Sequence, residues 1–122
     1  AGAMLALCHD FRVMRADRGF FCLPEVDIRI PFTAGMNSLI MSRMTISAAH
    51  EVMVTGRRFG GEEAAARNIV HHAVPEADVL ATASAIAMEH AGKDRNTLAT
   101  IKERMYEDTI RLLKNSPGTE PA

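Results

Sequence analysis

The sequence contains no tryptophan, and aromatic residues make up only 5% of its 122 residues, although the wider apolar share reaches 48%. An apolar share of that size is typical of one small folded domain and argues against a disordered chain. So few aromatic side chains fill a core poorly, and several segments are apolar on more than one side. We therefore expect part of the apolar surface to be buried against another polypeptide, as in a homo-oligomer.

Basic runs and long apolar runs are also missing. The longest basic run is Arg57-Arg58 and the formal net charge is −1, so the sequence gives no electrostatic basis for binding nucleic acid. No apolar run approaches the roughly 18 residues of a membrane span, and no basic segment precedes an apolar one as in a signal peptide. We expect a cytoplasmic protein with neither nucleic acid nor a membrane as partner.

Cysteine is scarce as well. Cys8 and Cys22 have no metal-ligand spacing with the five histidines, and the adjacent His71 and His72 point to opposite sides if their segment is a strand. The sequence therefore predicts no metal site. The simplest interpretation of both cysteines is that they are small buried hydrophobic residues.

Periodicity and turn residues predict a mixed α/β chain. The first helix, over residues 1–8, is apolar on every side and is expected to be buried. A strand over 11–17 turns at 17–19 into a second strand over 20–22. Helices are then expected from Thr33, over 47–55 with a left-handed stop at Gly56, over 62–67, over 75–91 and over 96–114, with an extended segment over 69–74.

The most informative stretch places one carboxylate in an apolar turn. Glu25 follows Pro24 and is surrounded by valine, isoleucine and phenylalanine, and Pro31 closes the turn. A carboxylate partly stripped of water is a stronger base, and strand ends are common positions for catalytic side chains. The alternative is that Glu25 caps the turn and lies at the surface.

A methionine-rich stripe follows in the helix that begins after Thr33. Met36, Leu39, Ile40 and Met44 recur at helical spacing, which favours a plain core face. Flexible methionines also suit the wall of a pocket that accommodates ligands of different shape. Both interpretations remain open at this point.

Four segments together resemble the C-terminal half of the crotonase superfamily, the enoyl-CoA hydratase/isomerase fold. They are the Ala-Gly start of an apolar helix that ends at Asp10, then residues 21–26, 28–31 and 55–59, in the order and spacing of that family. The resemblance implies an α/β fold, namely part of a ββα spiral followed by C-terminal helices that assemble trimers or hexamers. On this basis residues 1–60 are the spiral core with the catalytic turn, 61–115 a helical region and 116–122 a flexible tail, and an N-terminal half of the fold is missing.

The resemblance also implies a substrate and a chemistry. Family members bind acyl-CoA thioesters, so coenzyme A enters as part of the substrate and no separate cofactor is expected. Two backbone N–H groups form an oxyanion hole for the thioester oxygen, and Ala1 takes the place of the second donor. Hydratases of the family use two glutamates. Glu25 takes the place of one and Met4 that of the other.

A single glutamate can carry a proton from C2 to C4 of an enoyl chain, whereas hydration normally needs a second group to orient the water. The sequence therefore favours a Δ3,Δ2-enoyl-CoA isomerase with Glu25 as the catalytic residue. The expected substrate pocket consists of Met4, Pro31, Phe32 and Met36. The alternatives are a hydratase or thioester hydrolase whose second catalytic group comes from elsewhere, and an inactive fragment or assembly subunit.

Overall fold

A computed structural model describes residues 1–115 of the chain. The predicted tail over 116–122 lies outside the described residues. Short helices dominate, and the two named strands have three residues each. In chain order the elements are α1 (Gly2–Leu7), β1 (Val13–Arg15), α2 (Glu25–Ile28), α3 (Ala34–Arg43), α4 (Ile46–Thr55), α5 (Gly61–Ala66), β2 (His72–Val74), a 3-10 turn (Glu76–Asp78), α6 (Val79–His90), α7 (Arg95–Met105) and α8 (Glu107–Asn115).

The sheet differs from the predicted hairpin. β1 pairs with β2 in parallel, in the register Val13 with His72 and Arg15 with Val74. The predicted second strand over 20–22 is reduced to one antiparallel bridge between Phe21 and Phe59, with N–O distances of 2.8 and 2.9 Å. The prediction was wrong because the strand partner of β1 lies about 60 residues further along the chain, where local spacing gives no signal.

The core lies where the Phe21–Phe59 bridge meets α1, α3, α4 and α5. Its largest fully buried side chains are Phe59, Leu7, Ile40, Ile69 and Val52. The methionine-rich stripe supplies two of the buried residues, since Leu39 and Ile40 are 6% and 0% exposed. The core interpretation of that stripe is therefore confirmed for its centre.

Local signals fixed the ends of two central helices. The Thr33 and Thr45 hydroxyl oxygens each accept the backbone N–H of the residue three positions later, at 3.1 Å. Gly56 ends α4 with φ at +62°, as predicted. The positive φ favours glycine at this position, and a side-chain carbon there would also come within 2.9 Å of the Asp27 carboxylate, which would have to shift.

Two predictions about buried residues were wrong. Only Leu7 of α1 is buried, and Leu5 is 65% exposed, because within residues 1–115 this helix packs against α3 on one side. Cys8 is exposed and Cys22 is half-buried, so the expectation of two buried cysteines fails for Cys8. Among the described residues no helix is long and apolar enough to cross a membrane.

The predicted helix over 96–114 is broken at Tyr106, which separates α7 from α8. The Tyr106 hydroxyl accepts a hydrogen bond from Arg43, and Thr109 on α8 hydrogen-bonds to Ser38 on α3 at 2.7 Å. These contacts draw α8 onto α3 and interrupt the helix. On α8, Arg111 pairs with Asp108 at 3.0 Å.

Candidate active site

The turn that carries Glu25 is fixed on both sides by buried residues. Leu23 is 2% exposed, and Phe21 is held by its bridge to Phe59. The Pro24 carbonyl then accepts the N–H groups of Asp27 and Ile28 at 2.9 and 3.2 Å, which closes the single turn of α2. Glu25 is therefore the first residue of a short helix rather than the start of a loop.

The end of α2 has an uncommon backbone. Arg29 adopts a left-handed conformation, with φ +61° and ψ +36°, and its N–H donates to the Glu25 carbonyl. The Glu25 carbonyl also accepts the N–H of Ile30 at 3.1 Å. This reversal directs the chain to Pro31 and Phe32, and Phe32 packs against the core just before α3 begins.

Glu25 lies on an open groove of about 460 Å³. We call it the Glu25 groove. Its walls come from the α2 turn, the segment that follows it, the start of α3 and the end of α4. The lining residues are Glu25, Val26, Arg29, Ile30, Pro31, Phe32, Asn37, Met53 and Val54.

One oxygen of the Glu25 carboxylate is buried without a partner. Within the described residues, Oε1 of Glu25 is shielded from solvent and accepts no hydrogen bond. Buried polar groups in folded proteins are normally paired. An unpaired carboxylate oxygen in an apolar groove is therefore a candidate to bind a ligand or to accept a proton from it. The burial of this oxygen favours the interpretation of Glu25 as a desolvated base over that of a surface capping glutamate.

The structure brings some of the predicted site residues together and not others. Glu25, Pro31 and Phe32 line the same groove. Met4 is partly buried against the core, and neither Met4 nor Met36 lines the Glu25 groove. Their expected place in the wall of this groove is therefore wrong, and for Met4 the reason is its packing against the core. Ala1 is exposed at the start of α1 and does not line the groove either.

Two polar side chains of the groove were not predicted. Asn37 lies on α3, where the cap at Thr33 sets the helical phase. Its position next to Met36 could have indicated a boundary between the core face and a polar face. Arg29 gave no sequence signal, because a left-handed arginine cannot be distinguished from a helical one by spacing. Among residues 1–115, no group of three or more histidine, cysteine or acidic side chains could hold a metal ion.

Comparison with known proteins decides the family. The profile of the enoyl-CoA hydratase/isomerase family matches residues 1–117. The chain belongs to the enoyl-CoA hydratase/isomerase family. The crotonase resemblance of the sequence is thereby confirmed, and so is the α/β crotonase fold.

Two curated relatives illustrate the range of reactions in the family. Enoyl-CoA delta isomerase 3 of Arabidopsis thaliana is 34% identical over 119 residues, which cover 93% of this chain and 50% of that protein. Carnitinyl-CoA dehydratase of Escherichia coli is 31% identical over 111 residues, covering 91% and 42%. The chain thus spans about half the length of the curated relatives that it matches. Because an isomerase and a dehydratase both appear, family membership does not choose the reaction.

Solved structures agree on the fold. A Mycobacterium tuberculosis protein, described as an enoyl-CoA isomerase with one solved structure and as a probable enoyl-CoA hydratase with another, superimposes in the first with a TM-score of 0.83 at 26% identity, over 93% of this chain and 50% of that one. A Pseudomonas syringae protein of the same family, at 23% identity, gives a TM-score of 0.84 over 93% and 49%. The short helices and the two-stranded sheet described above are therefore part of a crotonase fold.

Proposed function

We propose that this chain carries the catalytic carboxylate of a Δ3,Δ2-enoyl-CoA isomerase, with Glu25 as the only proton carrier. The observation that carries the proposal is the unpartnered, buried Oε1 of Glu25 in a groove with apolar walls. Water is partly excluded there, and no described side chain competes for that oxygen. A general base in this environment reacts with a carbon acid more readily than one in water.

The proposed reaction is balanced with one residue. The Glu25 carboxylate removes a proton from C2 of a 3-enoyl thioester, and the electron pair moves into a dienolate whose charge develops on the thioester oxygen. The protonated Glu25 then returns the same proton to C4, and the double bond ends between C2 and C3. Glu25 finishes as a carboxylate, so neither water nor a redox partner is consumed.

The remaining parts of the site are also proposals. By resemblance, the N–H at Ala1 serves as one oxyanion donor, and the start of α1 adds the positive end of its dipole. Pro31 and Phe32 form an apolar wall for the acyl chain, since both line the Glu25 groove. Coenzyme A takes part as a portion of the substrate, with no separate cofactor.

Hydration is the second candidate, and one observation favours it. The carboxamide of Asn37 lines the Glu25 groove, and the structure gives it no hydrogen-bond partner among residues 1–115. An amide can orient a water molecule for addition across C2=C3, a task for which Met4 is unsuited. Asn37→Leu would abolish hydration and leave isomerisation within about twofold if Asn37 had this role.

The experiment compares both reactions in the complete protein that carries this chain. With 3-enoyl-CoA and 2-enoyl-CoA assayed on one preparation, we expect isomerisation to be faster. Glu25→Gln keeps the shape and removes the base, so turnover should fall by about 10²–10⁴-fold while acyl-CoA binding changes little. Glu62→Gln on exposed α5 is the matched control. Faster hydration, or near-normal turnover of Glu25→Gln, would overturn the assignment.

We also propose that the protein is a cytoplasmic homo-oligomer, a trimer or hexamer. The support is apolar surface on the C-terminal helices: within residues 1–115, Leu98, Ile101 and Met105 of α7 are 39%, 50% and 64% exposed. Apolar exposure of this kind marks an interface. Light scattering on the complete protein tests it, and a folded monomer at micromolar concentration would contradict it.

A further inference from the structure

We propose that Arg29 binds an oxyanion of the ligand at the edge of the Glu25 groove and thereby sets substrate specificity. The inference rests on the proposed function in one respect, namely that an acyl thioester occupies this groove. The oxyanion has two chemical sources in such a ligand. One is a carboxylate at the far end of the acyl chain, and the other is a phosphate of coenzyme A.

Arg29 and Glu25 are the two charged side chains that line the groove. They lie four residues apart, with the acid first, which is the arrangement that forms ion pairs in a continuous helix. No such pair forms here, and Oε1 of Glu25 stays unpartnered. The left-handed turn at Arg29 ends α2 and takes the guanidinium out of helical register. The groove therefore keeps one free anion and one free cation.

The guanidinium of Arg29 has no partner elsewhere within residues 1–115. Asp27, its nearest acidic neighbour in sequence, lies against Gly56, where its carboxylate oxygen is 2.9 Å from the position of an added side-chain carbon. Most other arginines are engaged: Arg15, Arg57, Arg67 and Arg111 pair with carboxylates, and Arg12 and Arg43 donate to carbonyl groups. Arg29 combines a free guanidinium with a place on a groove.

The backbone at Arg29 adds an independent argument. A residue with a side chain is disfavoured at φ +61°, where glycine is the usual choice for a helix end. Strained backbone conformations of this kind cluster at ligand sites. An arginine at a position that suits glycine therefore supports a ligand-binding role for its guanidinium.

The surroundings favour recognition of an anion that is attached to an apolar chain. The wall of the same groove includes Val26, Ile30 and Phe32. A ligand chain covering this wall would exclude water from the guanidinium and strengthen its bond to a carboxylate or phosphate. Arginine matches both groups because its planar fork donates two parallel hydrogen bonds.

Binding of saturated ligands tests the proposal without catalysis. Three ligands of equal acyl length are compared by calorimetry on the complete protein: an alkyl acyl-CoA, an ω-carboxyacyl-CoA, and the alkyl acyl-pantetheine thioester, which lacks phosphate. If Arg29 binds the acyl carboxylate, Arg29→Gln weakens only the ω-carboxy ligand, by about fivefold or more. If it binds a phosphate, Arg29→Gln weakens both CoA ligands and leaves the pantetheine ligand unchanged.

Arg29→Lys and Arg18→Gln complete the test. Lysine keeps the charge and should restore part of the lost affinity, whereas Arg18 is exposed and does not line the Glu25 groove, so its change should alter none of the three affinities. If wild type and Arg29→Gln bind each of the three ligands with the same affinity, the proposal is wrong. Saturated ligands need no proton transfer, so a protein that binds selectively through Arg29 but fails to isomerise 3-enoyl-CoA would refute only the proposed function.

Discussion

Two clusters of charged side chains differ in how their polar groups are satisfied. Arg12, which is 7% exposed, donates to the carbonyls of Ile69, His9 and Arg43 at 2.8, 3.3 and 3.2 Å. Arg43 donates to the carbonyls of Leu7, His9 and Asp10, which end α1, and to the Tyr106 hydroxyl. In the Glu25 groove, in contrast, the side chains of Glu25 and Arg29 have no partner among residues 1–115.

The difference distinguishes charged side chains that stabilise the fold from charged side chains that are available to a ligand. Arg12 and Arg43, the arginine cluster, satisfy carbonyl groups that a helix end leaves open, and they connect α1 to α3 and to the break before α8. Burial and the charge of Arg43 lower the pKa of Arg12, which means that the charged guanidinium is destabilised in the folded protein. The hydrogen bonds that it donates to carbonyl groups offset this destabilisation. The groove also contains a buried polar group, but there the Oε1 atom of Glu25 has no described partner, so its desolvation is not offset by a hydrogen bond.

The largest effect is expected in the arginine cluster. Arg12→Met keeps most of the side-chain volume but removes the donor to the carbonyls of Ile69 and Arg43, while the His9 carbonyl keeps Arg43 as a donor. The free energy of unfolding should therefore fall by about 2–4 kcal/mol. Urea denaturation followed by circular dichroism measures it. Arg18→Met, at an exposed position after β1, is the control and should change stability by less than about 0.5 kcal/mol. If both variants changed the free energy of unfolding equally, Arg12 would not have the structural role assigned to it here.

The groove should respond in the opposite direction. Glu25→Leu removes the unpartnered carboxylate oxygen and adds apolar surface to an apolar wall, so the free energy of unfolding should rise by about 1–2 kcal/mol while turnover is lost. The same denaturation experiment checks this value. A loss of stability close to that of Arg12→Met would mean that Glu25 is a structural residue and that the two clusters do not differ.

Local chemistry explains which parts of this arrangement the sequence could predict. The caps at Thr33, the stop at Gly56 and the turn at Pro24 depend on side chains within a few residues of the backbone that they fix. Glu25 was predicted because its apolar neighbours are sequence neighbours. The family motifs added the fold, which the comparisons confirm.

The missed features depend on residues that are distant in sequence. The parallel pairing of β1 with β2 joins positions 59 residues apart, and the break at Tyr106 depends on Arg43, 63 residues earlier. Arg29 lines the groove because the chain reverses at its left-handed backbone, and Asn37 does so because of its position around helix α3. Residue spacing in the sequence predicts neither feature. Tertiary contacts, rather than intrinsic propensity, decide these points.

A smaller effect concerns the strained backbone at Arg29. Arg29→Gly relieves the left-handed conformation, and after the greater chain entropy of unfolded glycine is subtracted, stability should rise by about 0.5–1 kcal/mol. Asn68, with φ +59°, is the matched control, since asparagine adopts this conformation at little cost. Thermal unfolding of both variants separates them. A stabilisation at Asn68→Gly equal to that at Arg29→Gly would show that Arg29 bears no special strain.

The smallest expected effect is a change in pH dependence beside the arginine cluster. The Nδ1 atom of His71 accepts the backbone N–H of Arg12 at 3.0 Å, which requires an unprotonated Nδ1, and the ring lies edge-on to Phe11. Burial lowers the pKa of His71, and the positive charges of Arg12, Arg43 and His72 lower it further. The unfolded chain therefore takes up this proton at a higher pH than the folded chain does.

The free energy of unfolding should consequently decrease as the pH falls below about 6.5, and the decrease should stop once the pH is below the folded pKa of His71. His71→Asn places a side-chain oxygen where Nδ1 accepts the Arg12 N–H but cannot titrate, so it should flatten this part of the stability profile while preserving stability near pH 8. His50→Asn, on the exposed surface of α4, measures the effect of removing a histidine as such. If the free energy of unfolding of His71→Asn depended on pH between 7 and 5 as strongly as that of wild type, protonation of His71 would not affect the stability of the arginine cluster.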